Sequence, residues 1–385
     1  MLWINFLHFY QPANNDEWHI REATKKSYLR LIRALEEHPQ IKFTVNIAGS
    51  LIIRWEYAGR FDILRRLKAL AERGQIELVG TAAYHPLLPL IGPAEARRQI
   101  RENEELLRKY FGQAFRPKGF FLPEMAYSPA AARLVRKLGY EYLILDEMAL
   151  AGAKPADPEK IYVDRQSGLE IIFRSRKISN TYVPAEIGKL AAAGFAKPAI
   201  TATDAELYGL RFQDPDAILE KLLDNPAQKT MTISAFRQKR PREKASLRAS
   251  NWESTLEDLK KKRPFHLWHD KANALHQELW KLARLAETAQ ARFARDRQIG
   301  ALRWHLARGL SSCTFWWASG HDFRHVYGPL AWCPDEIERG ANELIRAVRS
   351  LNHSRSRAWK TKAEKSYQKI IRLIWETHWQ KYWKK

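Results

Sequence analysis

The feature that most constrains this chain is alternation. Over its first two hundred residues, short β-rich apolar runs trade places with longer amphipathic stretches. The runs fall at 2–9, 41–48, 75–83, 118–122, 140–145 and 199–203, each bounded by Gly, Pro or polar residues. Between the early ones, apolar residues recur at helical spacing over 23–37, 59–73, 93–110 and 129–138. Parallel strands cannot be joined by a tight turn and need a crossover, usually a helix. The pattern therefore predicts an α/β fold with a parallel sheet. At least six such strands predict an incomplete TIM-like barrel. A doubly wound open sheet is the competing layout, but no glycine-rich phosphate loop follows the first strand.

The pattern changes twice along the chain. Residues 161–164 and 169–174 flank Gln166-Ser167-Gly168, a hairpin signature. Residues 231–236 read as a last strand, and 237–251 as a long, polar, basic loop. Beyond that, helical patterns cover 270–296, 298–311, 335–351 and 358–383. The predicted organisation is a catalytic barrel over 1–250 and a C-terminal helical bundle over 251–385, packed on the barrel. The late aromatics Trp359, Tyr367, Trp375, Trp379 and Trp383 read as helix packing.

With 385 residues, 45% of them hydrophobic, the chain can bury a large core. Lys and Arg number 65 against 43 Asp and Glu, a formal charge of +22. The basic residues are scattered, and no RNA-binding, zinc-finger or helix-turn-helix signature accompanies them, so no specific nucleic-acid partner is expected. No apolar stretch reaches membrane-spanning length, so no membrane partner is expected. The first residues lack a basic start and a cleavage site. The two cysteines, Cys313 and Cys333, are no disulfide framework. Both observations place the protein in the cytoplasm as an expectation.

The strand ends carry the chemistry. The first strand runs into His8-Phe9-Tyr10-Gln11-Pro12, and the third into Tyr84-His85-Pro86. The fourth stops at Glu124 and the last at Asp204. In a parallel barrel these ends share one rim, where active sites lie. Two carboxylates on one rim are the minimum for cleaving a glycosidic bond. Glu206 lies two residues beyond Asp204 and, on an extended segment, points the same way. His8 and His85 are expected to donate hydrogen bonds to sugar hydroxyls. Asp146 is another strand-end acid, equally suited to capping the loop that follows. Trp252, Trp268, Trp316 and Trp317 are candidate sugar platforms, with one of the adjacent pair in the core. His321 and His325 have a zinc-like spacing, with His266, His269 and Asp270 upstream. The Glu of a zinc-protease helix is missing there, and Gly320 and Gly328 give a loop, so no metal or cofactor is expected.

These segments resemble glycoside hydrolase family 57, enzymes of α-glucans built on a (β/α)7 barrel with a helical C-terminal region. The family's His-x-His-Gln-Pro appears as His8-Phe9-Tyr10-Gln11-Pro12, with Tyr10 in place of the second His. Its Trp-Leu-x-Glu appears as Phe121-Leu122-Pro123-Glu124, and its Asp-x-Glu-x-aromatic-Gly as Asp204-Ala205-Glu206-Leu207-Tyr208-Gly209. A second motif matches Gly80 to Pro89, and a fifth is nearest to Ser311-Ser312-Cys313-Thr314-Phe315-Trp316-Trp317, without its Asp. The resemblance implies Glu124 as nucleophile and Asp204 as acid/base of a retaining mechanism. It implies His85 as a sugar ligand, no metal, and α-glucan or maltooligosaccharide as substrate. A turnover-deficient glycan-binding relative and a metal-dependent barrel deacetylase are the alternatives.

Overall fold

The computed structural model describes residues 1–152, 155–321 and 332–382. Ten strands form two five-stranded sheets. β1 (Leu2–Phe9) lies between β2 (Phe43–Ile47) and β8 (Ala199–Asp204), all parallel, and β3 (Ile76–Val79) extends β2. The second sheet runs β10 (Arg242–Ala245), β6 (Ile161–Asp164), β7 (Glu170–Arg174), β5 (Tyr142–Asp146), β4 (Gly119–Phe120). A parallel bridge from Gly80 to Phe120 joins the sheets on one side. On the other, the Ser175 amide donates to the Ile200 carbonyl at 2.8 Å. The ring β1-β2-β3-β4-β5-β7-β8 therefore closes as a seven-membered barrel. The fold is α/β with parallel sheets, followed by C-terminal helices.

Period-two alternation explains what fills it. Ile4 and Phe6 of β1, Tyr142 and Ile144 of β5, Ile172 of β7, and Ile200 and Ala202 of β8 form one buried inner cluster. Their odd-numbered neighbours on β1, Trp3, Leu7 and Phe9, pack outward under the helices. The inner face continues in phase to His8 on β1 and Asp204 on β8. These two are register partners, and His8 is also paired with Asn46. Hydrophobic inward positions thus become polar on one level of the barrel.

Three expectations need correction. Residues 231–236 do not form a strand: β9 is only Lys229–Thr230, and Ile233–Gln238 is a helix. Thr232 caps it by accepting from the Ala235 amide, and Ile233 and Phe236 are buried at helical spacing. The basic loop contains β10, which lies parallel to β6. Its charges are neutralised locally: Arg237 reaches Glu141 and Glu170, and Arg242 reaches Glu170 at 3.0 Å. β4 has two residues rather than five, because Pro123 brings no amide and Glu124 turns left-handed.

Four long helices follow: Ala274–Arg292, Ile299–Gly309, Pro334–Arg349 and Arg357–Thr377. Their inner residues, among them Leu279, Leu306, Leu344 and Ile370, share one core with Tyr127, Leu143 and Leu145 of the barrel side. Trp359, Tyr367 and Trp375 pack against that core, Trp379 is exposed, and Trp383 lies outside the described residues. No described helix is long and apolar enough to cross a membrane. Phe6 is 1% exposed and stacks on Phe121 at 5.1 Å at the centre of the barrel. Phe6→Ala should lower unfolding stability by about 3–5 kcal/mol, measured in urea.

Candidate active site

Glu124 is delivered by a strained turn. Its φ of 59°, with 49° at Met125, lies in the left-handed region that non-glycine residues avoid. His85 shares this conformation at 56°. Such strain persists where surroundings over-determine it, and functional sites collect it. Here the surroundings are specific. The Glu124 Oε1 accepts from the Ser312 hydroxyl at 2.8 Å, and its Oε2 from the Trp252 indole N–H at 2.8 Å. The Trp252 amide also donates to the Glu124 carbonyl at 3.2 Å.

The hydrogen bonds fix the histidine tautomers. With Glu124 ionised, the Ser312 hydroxyl proton goes to Glu124, so its oxygen accepts from Nδ1–H of His85 at 2.9 Å. His8 likewise donates through Nδ1 to the Asn46 side-chain oxygen. Burial keeps both rings neutral, pushing His8 down to about 4 and His85 well below its usual value. Both Nε2 atoms are therefore acceptors, and neither has a protein partner. The sequence reading expected these histidines to donate; in this network they accept from a ligand hydroxyl. The ring of Tyr10 stacks on His85 at 4.0 Å. Its hydroxyl contacts Ser311 Oγ at 2.9 Å and Cys313 Sγ at 3.3 Å.

Asp204 and Glu206 face the same cavity as Glu124, with a volume of about 450 Å³. Residues 205–207 form a 3-10 turn rather than an extended segment. Arg211 hydrogen-bonds Glu206 and stands 3.5 Å from Asp204. The other Glu206 oxygen accepts from Gln11 Nε2 at 2.6 Å, and Gln11 also donates to Tyr28 at 3.1 Å. A π-helical turn, Thr24–Tyr28, interrupts the expected helix here. It lets Ser27 Oγ donate to the Glu206 carbonyl at 3.0 Å. Gly209 is required against this turn: its φ is 128°, and a Cβ would sit 2.3 Å from the Lys26 carbonyl oxygen.

His8, Gln11, His85, Glu124, Asp204, Glu206 and Trp316 all line the cavity. Trp317 lines it beside Trp316, although 5% exposed, so neither belongs to the core alone. Tyr84 and Trp268 do not line it. Tyr84 is buried with Ala13, Ala83 and Ala307, and Trp268 is buried behind Trp316 with ring centres 5.2 Å apart. Sequence reading missed Ser312 as a carboxylate donor, Arg211, and Glu253, a further lining carboxylate. Asp146 is not at the cavity. It accepts from Arg174 at 2.8 Å, Arg176 at 3.1 Å and the Met148 amide at 3.0 Å. Arg176 in turn donates to the Trp252 carbonyl, and the Arg174 guanidinium lies 5.4 Å from the centre of its ring. Asp146 therefore anchors the residue that holds Glu124. His266 lies 3.3 Å from Asp258, and His269 faces Trp280. No group of three metal-ligating side chains occurs among the described residues, and His325 lies outside them.

Residues 5–183 match the family described as Glycosyl hydrolase family 57. That span contains Glu124 but not Asp204. An α-amylase 1 of Dictyoglomus thermophilum is 29% identical over 215 residues, 53% of this chain and 31% of that protein. A 4-α-glucanotransferase of Thermococcus litoralis is 33% identical over 147 residues, 37% of this chain and 22% of its own. The chain thus matches about a third or less of these relatives' length. The fold matches a branching enzyme of Pyrococcus horikoshii, with TM-score 0.69 and 15% identity, over 97% of this chain and 95% of that one. Over residues 5–183 the chain thus matches glycosyl hydrolase family 57, and it is a homologue of glycosidases and glucanotransferases of that family.

Burial raises the Glu124 carboxyl to about 8, with the Asp204 charge adding to the effect and the Ser312 and Trp252 donors opposing it. The folded state thus holds this proton between about 4.5 and 8, where the unfolded chain releases it, so Glu124 removes stability as pH rises through that window. Glu124→Gln should raise the melting temperature relative to the parent more at pH 8.5 than at pH 5. Trp252→Phe deletes a donor that favours the charged form. It should move the ionisation of Glu124 upward, seen as a shift of the acidic limb in a kcat/KM–pH profile, with roughly a 10-fold loss at neutral pH.

Proposed function

We propose that this protein cleaves or transfers α-glucosidic linkages of α-glucan or maltooligosaccharides by double displacement. The observation that carries the reading is Glu124, a carboxylate gripped by two donors in a cavity that Asp204 also lines. Donors on both oxygens favour the ionised form and fix its aim, as a nucleophile requires. Burial works against ionisation, so the reactive fraction grows with pH toward about 8. Asp204 is the acid/base. Burial raises its carboxyl above the usual range while Arg211 and Arg174 pull it back. A proton can therefore be held for the leaving oxygen and given up afterwards. After the glycosyl-enzyme forms, Asp204 accepts a proton from water or from a sugar hydroxyl, giving hydrolysis or transfer.

The two unpartnered Nε2 acceptors of His8 and His85 suit the hydroxyls of the reacting sugar. Trp252, Trp316 and Trp317 supply apolar faces for its rings. The names of the relatives support the substrate class, since amylase, glucanotransferase and branching activities all act on α-glucans. Glu124→Gln and Asp204→Asn should each lower turnover of maltoheptaose at least 1,000-fold, on the order of 4 kcal/mol. Anomer analysis of the first-formed product by NMR should give net retention. Undiminished turnover in either variant, or inversion, overturns the assignment.

A further inference from the structure

The cavity has a second polar region that the cleavage chemistry does not use. The helix Glu17–Ala23 contributes His19, and the helix Pro334–Arg349 contributes Glu336; both side chains line the cavity. Glu336 is 7% exposed, and its Oε2 has no hydrogen-bond partner. Nδ1 of His19 is also buried without a partner. An unsatisfied buried polar atom costs stability, so two of them on one cavity wall call for an explanation.

The Glu336 side chain is held in place. Arg339 donates to Glu336 Oε1 at 2.8 Å and to Asp16, just before the first helix, at 2.9 Å. That clamp ties the two helices together and fixes the glutamate while leaving its second oxygen empty. The charges acting most on Glu336 are Arg339, Asp16, Asp335 and Arg54, and none acts most on Glu124. Glu336 thus belongs to the part of the cavity lined by the first helix and the helix Pro334–Arg349 rather than by the strand ends. A volume of about 450 Å³ also exceeds what one sugar ring needs.

We infer that Glu336 and His19 form a sugar-binding subsite remote from the cleavage point, taking the hydroxyls of a further glucosyl unit of the chain. Glu336 accepts from one hydroxyl through Oε2, and His19 bonds another through Nδ1. Trp18, beside them and 37% exposed, also lines this stretch. Burial pushes Glu336 up to about 7, so this contact strengthens on going from pH 6 to pH 8 as the carboxylate forms.

The inference rests on the α-glucan reading above, and the test separates the two. Glu124→Gln binds maltooligosaccharides of two to seven units without turnover, and calorimetry measures each affinity. Adding Glu336→Gln, and separately His19→Phe, should weaken maltoheptaose about 10-fold and maltose less than 2-fold. Melting curves check that each variant is folded; should Glu336→Gln not fold, His19→Phe decides alone. Equal affinity for maltoheptaose with and without the second substitution overturns the subsite, as does equal weakening at every length. Absence of binding at any length overturns the α-glucan reading itself.

Discussion

The site depends on one interaction, the double grip on the Glu124 carboxylate. Its three parts come from distant parts of the chain. The strand end supplies the acid, the segment after β10 supplies the Trp252 indole, and the helical region supplies the Ser312 hydroxyl. A left-handed Glu124 is unfavourable by itself, and these two bonds, with the Trp252 amide, hold it there. Behind them stands the Asp146 cluster, in which Arg176 fixes the Trp252 carbonyl. The helices thus contribute a donor to the candidate site and are not only a cover for the barrel.

The grip also sets a conflict that the protein keeps. Burial favours the neutral acid, while the donors favour the anion, and burial prevails enough to raise the group to about 8. A more exposed carboxylate would ionise readily but would also be hydrated. The neutral histidines follow the same logic. Buried and uncharged, they leave the cavity without fixed positive charge at His8 and His85 while offering two acceptors.

Much of this was legible in the sequence where a periodicity encoded it. Ile4-Phe6-His8 and Ile200-Ala202-Asp204 are one inward face each, so the step from apolar to polar marks the barrel rim without any tertiary information. Glu124, His85 and Gln11 were found instead by their position just beyond strand ends, where the chain turns onto the rim. Tyr84 was misplaced because it is adjacent to His85 but packs into a separate buried cluster with Ala13, Ala83 and Ala307. Trp268 was chosen for its residue type, and type does not distinguish a core indole from a platform. Ser312, Arg211 and Glu253 were invisible as site residues because chain folding over long separations brings them in. The strand misread at 231–236 shows β-branched propensity losing to a Thr232 cap and an i, i+3 apolar pair.

Tyr10 and the segment at Ser311–Cys313 lie far apart in the chain, and in space they are one contact. A substitution at one of them is therefore felt at the other, so two walls of the cavity that lie some three hundred residues apart in the chain change as a pair.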